Sequence, residues 1–157
     1  MASSVKPIPD GYHAVTPYLI INGAAAAIDF YKKAFGAVEL FRMADPNGKV
    51  GHAEIRIGDS PIMLADEFPT MGAKGPKSFG GSPISLYLYV ENVDRTADQA
   101  VAAGAKLTQP VSDKFYGDRS GQLEDPFGHT WNIATHTEDV PADELARRAA
   151  EVMKQHA

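Results

Sequence analysis

The chain repeats itself. Tyr18-Leu19 aligns with Tyr87-Leu88 at an offset of 69 residues. Ala34-Phe35-Gly36-Ala37 aligns with Ala102-Ala103-Gly104-Ala105 at 68, and Ile62-Met63 with Trp131-Asn132 at 69. A duplication of this period makes each half one supersecondary unit, which limits the folds open to the chain. Hydrophobic periodicity gives each half the order βαβββ. In the first half, strands are predicted at 13–21, 38–43, 50–57 and 62–66, with a helix at 24–35. Ile28, Tyr31 and Phe35 form that helix's apolar stripe, and Gly36 ends it. In the second half, strands at 84–90 and 106–111 and a hairpin over 116–136 accompany a helix at 94–103. Asp94 is its expected N-cap and Gly104 its stop.

Between the halves lies FPTMGAKGPKSFGGSP, rich in Gly and Pro and without a period, which reads as a linker or mobile flap. The expected plan is an N-terminal arm at 1–12, a module at 13–67, the linker at 68–83, a module at 84–136 and a C-terminal helix at 137–157. Leu145, Ala149, Val152 and Met153 form the apolar stripe of that last helix.

Composition narrows the function classes. The 157 residues are 44% hydrophobic, enough for a sizeable core. Net charge is −5 with the signs interspersed, and no basic patch points to nucleic acid. Cysteine is absent, which removes disulfides, thiolate metal sites and thiol nucleophiles, and fits a reducing compartment. No apolar run has signal-peptide or membrane-span length. The expectation is a cytoplasmic protein without membrane or nucleic-acid partners.

The stretch GDRSGQLEDPFGHTWNIATH holds the most information. Asp125-Pro126-Phe127-Gly128 reads as a turn, with Pro pre-setting φ and Gly free to take φ > 0. In the strand after it, Thr130, Asn132, Ala134 and His136 share one face, and Trp131, Ile133 and Thr135 the other. Trp131 is expected in the core, and His129 as a strand-edge hydrogen bonder. His52, Glu54 and Arg56 likewise share a strand face, with Ala53, Ile55 and Ile57 opposite. A His beside a Glu suits a general base and its orienter, so His52 and Glu54 are the candidate catalytic pair. The same alternation suits a solvated strand. Tyr18, Tyr87 and Tyr89 are candidate linings of a small-ligand pocket, or β-formers on a half-buried surface. Arg119 offers a fork for an anion, or a contact with Asp118.

Two βαβββ modules, with IDFYKKAFGA after the first strand and EDPFGHTWNIATH at the end, resemble the vicinal oxygen chelate superfamily of glyoxalase I, bleomycin-resistance proteins and extradiol dioxygenases. GHAEIRIGDSPIMLADE and GDRSGQLEDPFGHTWNIATH are similar to its PhnB-like branch. The resemblance covers roughly residues 13–136 and implies an α+β fold. In it, two βαβββ modules form a curled mixed sheet with a concave cup, here with a C-terminal helix added. It also implies paired modules, hence a homodimer.

Metal-dependent members of that superfamily place four ligands on the first and fourth strands of each module. Those positions fall here on Thr16, Met63, Ser85 and Asn132. None carries a carboxylate or imidazole, so neither a metal nor another cofactor is expected. Whether the chain is an enzyme stays open, because its fold is glyoxalase-like but its ligand positions hold no ligands. The expected function is binding of a small organic molecule in the cup, lined by Thr16, Tyr18, Met63, Ser85, Tyr87, Arg119 and Asn132. The alternative is a lyase, isomerase or dioxygenase-type enzyme. It would use His52 and Glu54, or a displaced metal site drawn from His13, His52, Asp66, Glu67 and His136.

Overall fold

The computed structural model describes residues 4–157, and they divide into two compact units, one ending at Ser82 and the other beginning at Pro83. The first unit runs β1 (Tyr18–Ile21), α1 (Ala24–Phe35), β2 (Val38–Ala44), β3 (Val50–Ile57), β4 (Ser60–Asp66), a 3-10 turn (Pro69–Met71) and the short α2 (Pro76–Phe79). The second runs β5 (Ser85–Tyr89), α3 (Val93–Ala103), β6 (Lys106–Asp113), β7 (Asp118–Glu124), β8 (Thr130–His136) and α4 (Ala142–Gln155). Both modules are therefore βαβββ, α+β and mixed. β1 pairs parallel with β4, β5 pairs parallel with β8, and the remaining pairs are antiparallel.

The expected single curled sheet with a concave cup is not what forms. The eight strands make two four-stranded sheets, ordered β1-β4-β3-β2 and β5-β8-β7-β6, and neither closes. The reason lies in the pairing. Each βαβββ unit completes its ladder internally and leaves two edge strands, so no ladder bends a sheet round on itself.

In the first unit α1 packs on β1, β3 and β4. Its apolar stripe, Ala24, Ala27, Ile28, Tyr31 and Ala34, meets Leu19, Ile21, Ala53, Ile55 and Leu64, all buried. Full burial of each large aliphatic side chain is worth about 1.5–3 kcal/mol. The helix lacks a side-chain cap of its own, because Gly23 occupies the N-cap with φ 99°. Asp66, at the end of β4, supplies one. Its Oδ1 accepts from the Gly23 and Ala24 N–H groups at 3.0 and 2.9 Å, and its Oδ2 from Val50 N–H at 2.7 Å. At the other end Gly36 adopts φ 68° and its N–H bonds the Lys32 carbonyl.

In the second unit α3 packs on β6, β7 and β8 over Leu123, Trp131 and Ile133. The helix begins at Val93 and is capped by Asn92, whose side chain accepts from Arg95 N–H, rather than by Asp94. The Asp-Pro-Phe-Gly turn is built round the buried Asp125. One carboxylate oxygen accepts from the Phe127 and His129 N–H groups, and the other from Trp131 Nε1–H at 3.0 Å.

The segment read as a linker is tied back to the first sheet. Glu67 accepts from Gly75 N–H and the Ser78 hydroxyl. The first strand begins at Tyr18, later than the sequence pattern indicates. No residue of α4 is fully buried. Arg148 anchors it to Glu138 and to the Phe115 carbonyl.

Candidate functional site

Each sheet has one helix-covered face and one open face. Strand parity assigns the open face of the first sheet, because alternate residues of a strand point opposite ways. Ala53, Ile55 and Ile57 go to the helix side, and His52, Glu54 and Arg56 to the other. Tyr18 of β1 joins them, and Met63 of β4 lies between, in register with both Tyr18 and Glu54.

A hydrogen-bonded chain crosses this face. The Tyr18 hydroxyl lies 3.0 Å from His52 Nδ1, and His52 Nε2 lies 3.2 Å from Glu54 Oε1. Tyr12, at the end of the N-terminal arm, donates its hydroxyl to Glu54 Oε2. An ionised carboxylate only accepts, so His52 Nε2–H must donate to it. In neutral His52 the Nδ1 lone pair is then the acceptor for the Tyr18 hydroxyl. The Tyr12 bond, and next that of His52, hold the Glu54 carboxyl below the usual carboxylate range. The same carboxylate pushes the Tyr12 phenol up to about 12. Phe41 of β2 brings its ring centroid to 6.4 Å from that of His52, and Tyr18 to 5.5 Å. Tyr18 and Phe41 are about half exposed, at 49% and 50%.

The second sheet carries a different set on its open face. Asn132 donates to the Ser85 hydroxyl at 2.9 Å and accepts from Gln122 at 3.1 Å. Tyr87 and Tyr89 both donate to Asp118 Oδ2, at 3.1 and 3.0 Å. His136 lies 2.8 Å from Asp118 Oδ1 through Nδ1 and 2.7 Å from Asp139 through Nε2. Burial pushes the Asp118 carboxyl up, but the bonds from His136, Tyr89 and Tyr87 outweigh it and hold it low. Asp118, and next Asp139, raise the His136 imidazole above its ordinary range.

The structure thus brings Tyr18, His52, Glu54 and Met63 together on one sheet, and Ser85, Tyr87 and Asn132 together on the other. Thr16 precedes β1, with its hydroxyl 3.4 Å from the His13 carbonyl. Arg119 is not with the others. Its guanidinium forks onto Asp94 at 2.8 Å through both Nε and Nη2 and reaches Asp113 at 3.2 Å, locking β7 to the start of α3.

Sequence reasoning missed Tyr12, Phe41 and Asp118. Nothing in the polar arm marks Tyr12. Phe41 is hidden because β2 slips register against β3 between Glu39 and Phe41, which breaks the alternation. Asp118 was within reach, since Asp118, Ser120 and Gln122 share a face by the rule that groups His52 with Glu54.

The divalent metal of metal-dependent superfamily members does not fit the residues at its usual positions. Ser85 and Asn132 satisfy one another, Thr16 offers a neutral hydroxyl and Met63 a thioether. The displaced donors are engaged elsewhere, Asp66 by three backbone N–H groups and Glu67 by Gly75 and Ser78. Among the described residues no group of three or more His, Cys, Asp or Glu is placed to hold a metal ion. Among them, too, no helix is long and apolar enough to cross a membrane.

Paired βαβββ units with open polar-aromatic faces define a class of protein. The chain belongs to the glyoxalase/bleomycin resistance protein/dioxygenase superfamily, whose family pattern matches residues 12–133. An uncharacterized protein of Mycobacterium bovis is 43% identical over 148 residues, covering 92% of this chain and 93% of that one. Protein YjdN of Escherichia coli is 28% identical over 141 residues, covering 76% and 92%. Among solved structures, TioX from Micromonospora sp. ML1 aligns with TM-score 0.64 at 27% identity, covering 79% of this chain and 98% of TioX. A PhnB protein from Bacillus cereus shares the fold, with TM-score 0.60 at 18% identity, covering 78% and 99%.

Proposed function

We propose that the chain binds a small organic molecule on the open sheet faces, without the superfamily's usual metal site. The observation that carries this reading is the first sheet's open face. Half-exposed Tyr18 and Phe41 bring their rings to 5.5 and 6.4 Å from that of His52, Met63 is in register with Tyr18, and His52 is held by a hydrogen bond at each ring nitrogen. Small-ligand sites are mostly apolar and aromatic, with a few fixed polar groups. Thr16 comes two residues before Tyr18 on the approach to β1, and Ser85, Tyr87 and Asn132 form the corresponding set on the second sheet. The reading includes a homodimer, supported by two open edges on each sheet, since exposed edges favour pairing or covering. It also includes a cytoplasmic location.

The test is an NMR fragment screen of aromatic molecules with side-chain assignments for Tyr18, Phe41 and Met63. A binder is expected to shift those resonances and to raise the melting temperature. At a hundredfold excess over Kd the stabilisation is about 2.7 kcal/mol. Shifts confined to other surfaces, or unchanged by Tyr18→Ala, overturn the reading.

A second reading, an acid–base enzyme of lyase or isomerase type, is favoured by one specific observation. His52 is fixed in orientation by Glu54 behind it and Tyr18 in front. That arrangement is the one a general base requires. A rate that depends on His52 and survives exhaustive chelation is the result expected of it.

A further inference from the structure

On the open face both ring nitrogens of His52 are already engaged. One, Nδ1, is covered by the Tyr18 hydroxyl at 3.0 Å, and the other faces Glu54. The exposed end of the chain is therefore the Tyr18 oxygen. That oxygen gives its proton to His52 and keeps its lone pairs, so it can only accept from an incoming group. Rings and thioethers border the same set: Met63 is in register with Tyr18, Met43 with His52, and the Phe41 ring lies 6.4 Å from that of His52, with Phe41 about half exposed and Met43 more than half. The carboxylate at the far end is already occupied by Tyr12 and His52. A ligand that satisfies this place is an aromatic ring carrying a weakly acidic hydroxyl.

We propose that the first sheet binds a hydroxyaromatic molecule, and that Tyr18 takes the ligand's proton while passing its own to His52. The inference rests on the small-molecule reading above and names its ligand class. The step balances. The ligand O–H bond breaks and its proton joins the Tyr18 oxygen. The former Tyr18 proton moves to His52 Nδ1. The products are a bound phenolate and an imidazolium held against the Glu54 carboxylate, with no net change in charge and no co-reactant. Imidazole can accept a proton at a ring nitrogen, and Glu54 Oε1 lies 3.2 Å from the opposite one, where it accepts the second N–H. Tyr18 is then the group that touches the ligand, and His52 and Glu54 act through it.

The probe is p-nitrophenol, whose phenolate absorbs visible light and whose phenol does not, at a pH where the free probe is mostly protonated. p-Nitroanisole, which has no proton to give, is the comparison. The expected result is growth of the phenolate band on adding protein, with shifts of the Tyr18 and Phe41 resonances. Tyr18→Phe and Glu54→Gln are expected to lower the bound phenolate-to-phenol ratio about tenfold or more, the equivalent of one pKa unit. Unchanged methyl resonances of Ile55 and Leu64, buried in the same unit, check that each variant is folded. If p-nitrophenol binds at this face but stays protonated, or if p-nitroanisole binds as tightly, the proton-transfer proposal falls and the small-molecule reading stands. If neither probe moves the Tyr18 or Phe41 resonances, the hydroxyaromatic site is overturned, and the broader fragment screen then decides the general reading.

Discussion

Two histidines sit in opposite electrostatic settings. His52 has a carboxylate on one nitrogen and a phenol on the other, whereas His136 lies between two carboxylates. Carboxylates accept and do not donate, so His136 satisfies both only as imidazolium. Its raised pKa gives the sign of the linkage. Its stabilising contribution is complete below the ordinary histidine value of about 6.5, and is lost as pH rises through the higher folded value. Stability measured by urea denaturation is expected to decline across that window, and His136→Gln to flatten the decline. Glu54 has the opposite sign. Its depressed pKa contributes stability above the unfolded value of about 4.3, which is lost as pH falls through the folded one. The Tyr12 hydroxyl is the leading cause, so Tyr12→Phe is expected to move the Glu54 carboxyl back up toward the ordinary range. Carbon-13 NMR titration of the side-chain carboxyl reads this directly. An unmoved Glu54 would make the Tyr12 contact incidental.

At the scale of elements, α1 shows how much a helix can owe to another strand. Its Ala-rich start has strong helix propensity but brings no cap, and Gly23 contributes only backbone freedom. Asp66 closes the helix from β4 and in the same gesture binds the first N–H of β3. Replacing it with Ala removes a cap and leaves a third backbone donor unmatched. We expect a loss of about 2–3 kcal/mol, with faster amide exchange at Gly23, Ala24 and Val50 ahead of the rest of the unit. Uniform acceleration across the sheet would place the effect elsewhere. α4 is the contrasting case. Its ion pairs of Arg147 and Arg148 with Glu144 lie near the surface, where such pairs contribute little. Its Met153 is 73% exposed.

For the whole molecule, the proposed homodimer carries a direct expectation. Light scattering at micromolar concentration should return twice the chain mass of 16.8 kDa. β2 is an edge strand whose Leu40, Phe41 and Met43 stay exposed within the chain, and such an edge is normally covered. A monodisperse monomer would remove this part of the reading without touching the ligand site.

The sequence alone determined the duplicated βαβββ order, the helix at Ala24–Phe35 with its Gly36 stop, and the alternation that sorts His52 and Glu54 from Ala53 and Ile55. Those features are local: helical and strand periods, turn residues and a fixed offset are properties of neighbours along the chain. It also determined that Thr16, Met63, Ser85 and Asn132 carry no strong metal donors, because that is a matter of side-chain chemistry. The tertiary structure decided what depends on residues far apart. Two open sheets stand where one curled sheet was expected, because ladder partners are chosen in space and each module satisfies its own. Arg119 was taken by Asp94 and Asp113 rather than left for a ligand, since three separate elements meet there. Tyr12 reached Glu54 across 42 positions of chain, and a slip in the β2 register set Phe41 beside His52. No period in the sequence encodes such a meeting, because it is fixed only when the backbone has folded round its core.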